Sequence, residues 1–164
     1  MENAYDLQKL LWTESDYDNM SWHDNHIHAL SFQKNNKFLL DIDYIFKWVH
    51  KPHSRYFKFW ITPCTLIFDN VYNMVFDVEI SSPHQLIIDK ISMINPQRPK
   101  NAEYIDRQIE YDWLIETTSG EITFKSVGYD QYIRQPAILS KHQVIDIELR
   151  GGVSFNTDYN PKTE

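Results

Sequence analysis

From His26 onward, apolar and polar positions alternate with a period of two through most of the chain, the pattern of half-buried β-strands. His26 to Phe32 and Phe38 to Ile45 flank Lys34-Asn35-Asn36-Lys37, and adjacent asparagines tolerate the positive φ of a tight turn, so this stretch predicts a β-hairpin. With Asn35 and Asn36 as a two-residue turn, counting outward sets His28 opposite Asp43 and Leu30 opposite Asp41. Phe57 to Val71, Val75 to Ile80 and Leu86 to Ile94 read as further strands, with Pro63 marking an edge or a bulge because it cannot donate to a ladder. Ile109 to Glu116 and Glu121 to Val127 flank Ser119-Gly120 as a second hairpin, and Gln143 to Leu149 reads as a last strand ended by Gly151-Gly152. Before His26 the period differs. Ala4, Leu7 and Leu11, with Leu10 beside them, predict a short amphipathic helix over about 4–12 capped by Asn3, followed by an acidic loop from Thr13 to Met20.

These elements predict a mainly β fold, an antiparallel sandwich or partly open barrel with a short N-terminal helix. A single domain over 1–155 and a polar tail over 156–164 complete it. The chain has 164 residues, 42% hydrophobic and 15% aromatic, which suffices for a sizeable core and argues against disorder. Only four glycines are present, so most turns must use Asn, Asp, Ser and Pro.

One cysteine, Cys64, cannot form an intramolecular disulfide, and the acidic start lacks the basic and apolar regions of a signal peptide, so a cytoplasmic location is expected. No apolar run is long enough for a membrane helix. The net charge of −7 argues against general nucleic-acid binding. That charge is uneven. Residues 1–24 carry Glu2, Asp6, Glu14, Asp16, Asp18 and Asp24 against Lys9 alone, whereas residues 44–68 carry Lys47, Lys51, Arg55 and Lys58 and no acid.

Two constellations could carry chemistry. His26, His28 and Asp43 fall on one face of the first hairpin, and two imidazoles with a carboxylate suit zinc or iron, as in a metal-binding domain or a metal-dependent enzyme. The bland alternative is a cross-strand His–Asp pair. The second constellation is the acidic, aromatic stretch of Glu14, Asp16, Tyr17, Asp18, Trp22, His23 and Asp24, a potential surface for a basic protein partner. Its bland alternative is that Trp22 packs into the sheet while the acids solvate a loop. No nucleophile elbow, Walker sequence or dinucleotide fingerprint occurs, so no catalytic residue and no organic cofactor is assigned.

Trp22-His23-Asp24-Asn25-His26-Ile27-His28-Ala29-Leu30, with Leu40 to Ile45 and Thr65 to Val71, resembles small bacterial proteins of uncharacterised function that open with a Trp-His-Asp element. Arg134-Gln135-Pro136 and Arg150-Gly151-Gly152-Val153-Ser154-Phe155 extend that pattern. More distantly, the chain is similar to immunity proteins of polymorphic toxin systems. That resemblance implies a non-enzymatic protein-binding domain whose partner is a basic toxin domain, and it carries over no catalytic residue.

Overall fold

The computed structural model describes residues 4–81 and 85–161. The chain forms one ten-stranded sheet, not closed into a barrel, in which every pairing is antiparallel. In chain order the strands are β1 (Leu11–Thr13), β2 (Asn25–Gln33), β3 (Lys37–His50), β4 (Phe57–Asp69), β5 (Tyr72–Val78), β6 (Leu86–Gln97), β7 (Glu110–Thr117), β8 (Gly120–Ser126), β9 (Gly128–Ile133) and β10 (Ile138–Ser140). Their order across the sheet is β1-β9-β4-β3-β2-β6-β7-β8-β5, with β10 pairing β4 beyond the end of β9. No helix among the described residues is long and apolar enough to cross a membrane.

The sheet curls until its two halves face each other. Phe38 of β3 meets Phe76 of β5 and Phe124 of β8, and Phe68 of β4 meets Trp113 of β7, with ring centroids 4.8–6.4 Å apart across this set and its neighbours. Phe38, Leu40, Ile42 and Tyr44 supply the core-facing side of β3, against Leu66, Ile88, Ile115, Ile122 and Tyr129. Such edge-to-face aromatic packing adds about 0.5–1.5 kcal/mol per pair beyond area burial. The aromatic content is therefore mostly core.

From Phe38 to Ile45, β3 is buried on both faces. Its other face, carrying Leu39, Asp41, Asp43 and Ile45, is covered by the segment after β9, where Ile145 and Ile138 pack on Ile45, Phe59 and Ile61. This covering segment is irregular. The strand predicted over Gln143–Leu149 does not form; instead the Arg150 N–H bonds the Asp146 carbonyl and the Gly152 N–H bonds the Ile147 carbonyl, coiling the chain into turns. Alternation there reflects Ile145 pointing to the sheet, not ladder pairing.

The predicted N-terminal helix over 4–12 is also replaced. Residues 4–10 are irregular, 11–13 add β1 to the edge of β9, and the helical turn is a 3-10 segment over Glu14–Asn19. Its start is built by a capping box of Thr13 and Asp16, a local signal stronger than the three apolar positions upstream. The proposed Asn3 cap lies outside the described residues.

Asparagine takes the role of glycine, with positive φ at Asn35, Asn36 and Asn70 between strands and at Asn73 and Asn95 in the bulges of β5 and β6. Gly120 admits no other residue type: φ is +135° and a Cβ would stand 1.9 Å from the Asp77 carbonyl oxygen of β5. The loop before it is Thr118-Ser119, one residue earlier than the predicted Ser119-Gly120. In the first hairpin the loop is three residues, Lys34 to Asn36, and Gln33 pairs Lys37, so the two-residue turn is corrected by one position. Pro63 sits inside β4, opposite Asp43, where β9 ends and β10 has not begun; its carbonyl takes the Arg134 N–H and its missing N–H faces that gap.

Candidate functional site

Asp41 and Asp43 lie two residues apart on β3 and therefore point to the same face, the one covered by the C-terminal segment. Both are fully buried, as is Arg150, and Arg134 is nearly so. Arg150 forks across the pair: its Nη2 and Nη1 donate to the two Asp41 carboxylate oxygens at 2.6 and 2.8 Å, and its Nε donates to Asp43 Oδ1 at 3.0 Å. Arg134 Nη2 donates to Asp41 Oδ1 at 2.8 Å, while its Nη1 donates to Thr65 Oγ1 and to the Ser154 carbonyl. The Ser154 N–H completes Asp41 at 2.9 Å. All four acceptor sites of that carboxylate are filled.

Asp43 is similarly occupied. Its Oδ2 accepts from the Ile145 N–H and from His28 Nε2, each at 2.8 Å. Register alone would not have joined His28 to Asp43, since Ile27 pairs Ile42 and Ala29 pairs Asp41. A β-bulge at His28 re-aims the imidazole toward the second carboxylate, so the pair expected from a different register meets after all.

With two carboxylates and two guanidiniums the cluster is neutral. Burial alone would raise the Asp41 pKa, but the Arg150 hydrogen bond, the Ser154 N–H and the charges of Arg134 and Arg150 outweigh it and hold the carboxyl below the usual carboxylate range. Burial works to lower the Arg150 pKa, and the Asp41 hydrogen bond with the Asp43 charge overrides it upward. The arrangement clamps residues 134–156 onto the second face of the sheet.

That occupancy bears on the metal constellation. His28 Nε2 donates to a carboxylate, which leaves it no lone pair on that nitrogen, and Asp43 already has three donors. His26 stands in the same neighbourhood, where burial first and then the charges of Asp43, His28 and Asp24 act on it, with a net lowering of its pKa. Among the described residues, the grouping whose ligand atoms all fall within 4.8 Å of one another is instead His23, Asp24 and Asp89.

The acidic, aromatic stretch divides. Trp22 is core: it is 3% exposed, its indole N–H donates to Gln131 Oε1 at 2.8 Å, and its ring packs on Tyr17, Tyr44 and Tyr129. Tyr17 is half-buried with its hydroxyl on the Ile91 carbonyl. Asp16 is held by Lys9 at 2.5 Å and by the Thr13 N–H, and Glu14 lies 3.5 Å from Arg107. These four serve the fold. Asp18 and His23 are exposed, and Asp24 is half-buried with its carboxylate accepting from Gln143.

Asp18 and His23 line an open cleft of about 520 Å³ with Asn19, Phe46, Lys47 and Trp48. The His23 ring lies nearly parallel to Trp48, at 15° with centroids 6.1 Å apart. An adjoining recess of about 270 Å³ shares Asp18, Met20 and Ser21 and reaches Asp89 and Lys90. Beyond the cleft, β3 and β4 run on as a two-stranded arm that bears Trp48, Tyr56, Phe57, Lys47, Lys51 and Arg55 at exposed positions. The basic segment noted in the sequence is this arm. Trp48, not Trp22, is therefore the tryptophan that faces outward beside the acids.

No family model, curated protein or solved structure matches the chain. Cys64 is fully buried in the core, and burial pushes its thiol pKa up, far from the range of a reactive thiolate.

Four residues of importance escaped the sequence reading in these roles: Arg134, Arg150, Trp48 and Asp89. A signal existed for the first two. Two acids embedded in Leu39-Leu40-Asp41-Ile42-Asp43-Tyr44-Ile45 imply buried charge on a central strand, and buried charge requires cations from elsewhere in the chain.

Proposed function

We propose that the protein acts by binding another protein through the face where the 3-10 segment, the start of β2 and the β3/β4 arm meet. The observation that carries this reading is the open cleft itself, in which Asp18, His23, Lys47 and a half-exposed Trp48 stand side by side. Tryptophan is enriched among residues that dominate binding energy, and flanking charges of both signs set orientation and encounter rate. Buried carboxylates compensated by arginines, such as Asp41 and Asp43, offer a partner nothing, whereas Asp18 makes no internal ion pair among the described residues.

The resemblance to immunity proteins gives the partner its class, a toxin domain with a basic cleft, neutralised by the acids at 18 and 24 and anchored by Trp48. The test is first whether a toxin-like gene lies immediately upstream of this one, and then co-expression with its product, scored by growth rescue and by recovery of a complex on size exclusion; absence of such a gene would count against the immunity reading. Wild type should rescue, and the Asp18→Lys/Trp48→Ala double variant should not, although it unfolds at the wild-type urea midpoint. Rescue undiminished in the double variant would remove this face from consideration.

A further inference from the structure

His23 and Asp24, in the turn that leads into β2, converge with Asp89 of β6 at the rim of the proposed binding face. Asp24 lies one residue beyond the Asn25–Ile88 pair that ends the β2/β6 ladder, with its N–H on the Ile88 carbonyl, which sets it beside Asp89. Two backbone irregularities bring them together: Asp24 has φ +64°, and Asp89 is the extra residue of a β-bulge between the Ile88–Thr117 and Lys90–Glu116 pairs. The Asp89 carboxylate has no hydrogen bond or ion pair among the described residues. His23 Nδ1 lies 3.2 Å from the Asp89 carbonyl oxygen, a contact only an N–H can make favourably. That contact ties Nδ1 to a backbone carbonyl and directs Nε2 at Asp24, the arrangement of metal-ligating histidines whose other nitrogen is held by a backbone carbonyl.

His23 Nε2 lies 3.4 Å from Asp24 Oδ2, close to the edge of a tetrahedron with metal–ligand bonds of about 2.0–2.1 Å, which is about 3.4 Å. We infer that His23, Asp24 and Asp89 form a site for a divalent transition cation of the zinc class, with one imidazole and two carboxylates as ligands and its remaining position open to water or to a partner's side chain. Gln143, which donates to Asp24 Oδ2 at 2.8 Å, orients that carboxylate from outside. The nearly parallel Trp48 ring holds the imidazole from the other side.

The site shares His23 and Asp24 with the proposed protein-binding face, but Asp89 stands outside that set, and the metal alone is the probe. Zinc chloride titrated into untagged full-length chain by calorimetry should bind at one ion per chain. Asp89→Asn and His23→Ala should each weaken it by more than about tenfold, while His53→Ala on the arm tip leaves it unchanged. All are surface substitutions, and circular dichroism verifies that each variant is folded. Absence of stoichiometric binding, or binding that Asp89→Asn and His23→Ala leave intact, would overturn the site without touching the protein-binding reading; a wild-type chain that binds zinc, with partner rescue undiminished in the Asp18→Lys/Trp48→Ala variant, would do the reverse.

Discussion

Arg150→Met removes the centre of the buried clamp while keeping most of the side-chain volume. The substitution deletes three charge-assisted hydrogen bonds to Asp41 and Asp43 and one to the Gly152 carbonyl. Asp41 retains Arg134 and the Ser154 N–H, and Asp43 retains His28 and the Ile145 N–H, so the carboxylates stay hydrogen-bonded but the cluster gains a net negative charge. Because Arg150, Asp41 and Asp43 are all fully buried, solvent screening does not soften the loss. Breaking a buried pair from one side costs about 3–5 kcal/mol. For a domain of this size that lowers Tm by about 2–4 °C per kcal/mol, or about 6–20 °C in all. Urea unfolding gives the free energy directly, and limited proteolysis shows whether 141–158 becomes the first site of cleavage. Arg150→Lys should fall between, since an ammonium keeps the charge but cannot span two carboxylates. A loss under about 1 kcal/mol for Arg150→Met, with the C-terminal segment still protected, would refute the clamp, because surface pairs alone are worth that much.

Further outcomes follow from the same geometry. The Asp41 pKa is depressed in the folded state, so its contribution is fully present above the unfolded carboxyl value of about 3.9 and is lost as pH falls through the lower folded value. Urea midpoints measured from neutral pH downward should therefore drop below about pH 4, and Asp41→Asn should start lower and flatten that slope. Trp22→Phe leaves Gln131 without its indole donor and should cost about 1–3 kcal/mol by urea unfolding, while the folded fraction still binds a partner. Cys64 should resist thiol reagents in the native protein and react in step with unfolding, read by mass spectrometry across a denaturant series.

The strand pattern was legible wherever one face is core and the other open. β7 and β8 and the first hairpin follow from alternation and turn residues, each within a residue of its loop. The meeting of His28 and Asp43 was legible too, although a bulge and not the assumed turn produces it. What alternation could not show is that β3 has two buried faces. Asp41 and Asp43 read as polar positions of a half-exposed strand, and the arginines that neutralise them lie roughly 90–110 residues away in the chain. The same tertiary demand overrode local pattern at 143–149, where the Ile145 N–H serves the Asp43 carboxylate instead of a ladder. At the N-terminus, three apolar positions fit a helix, but the free edge of β9 offers backbone partners that a short isolated helix lacks. Sequence alone leaves Trp22 open between a partner surface and packing into the sheet for a related reason: Trp22 and Trp48 both flank charges, and only the fold distinguishes the one that packs in the core against Gln131 from the one that faces solvent.

Hydrogen exchange on the complex with the toxin-like partner tests the binding face most directly. Protection should appear at residues 18–24 and 46–49 and along the β3/β4 arm, with 141–158 unchanged because the clamp already protects them. Another apolar surface competes for the role, the lip where Leu30 and Phe32 of β2 stand near Phe76 of β5, with Phe32 62% exposed. Protection confined to that lip, with residues 18–24 and 46–49 exchanging as in the free protein, would contradict the proposed site.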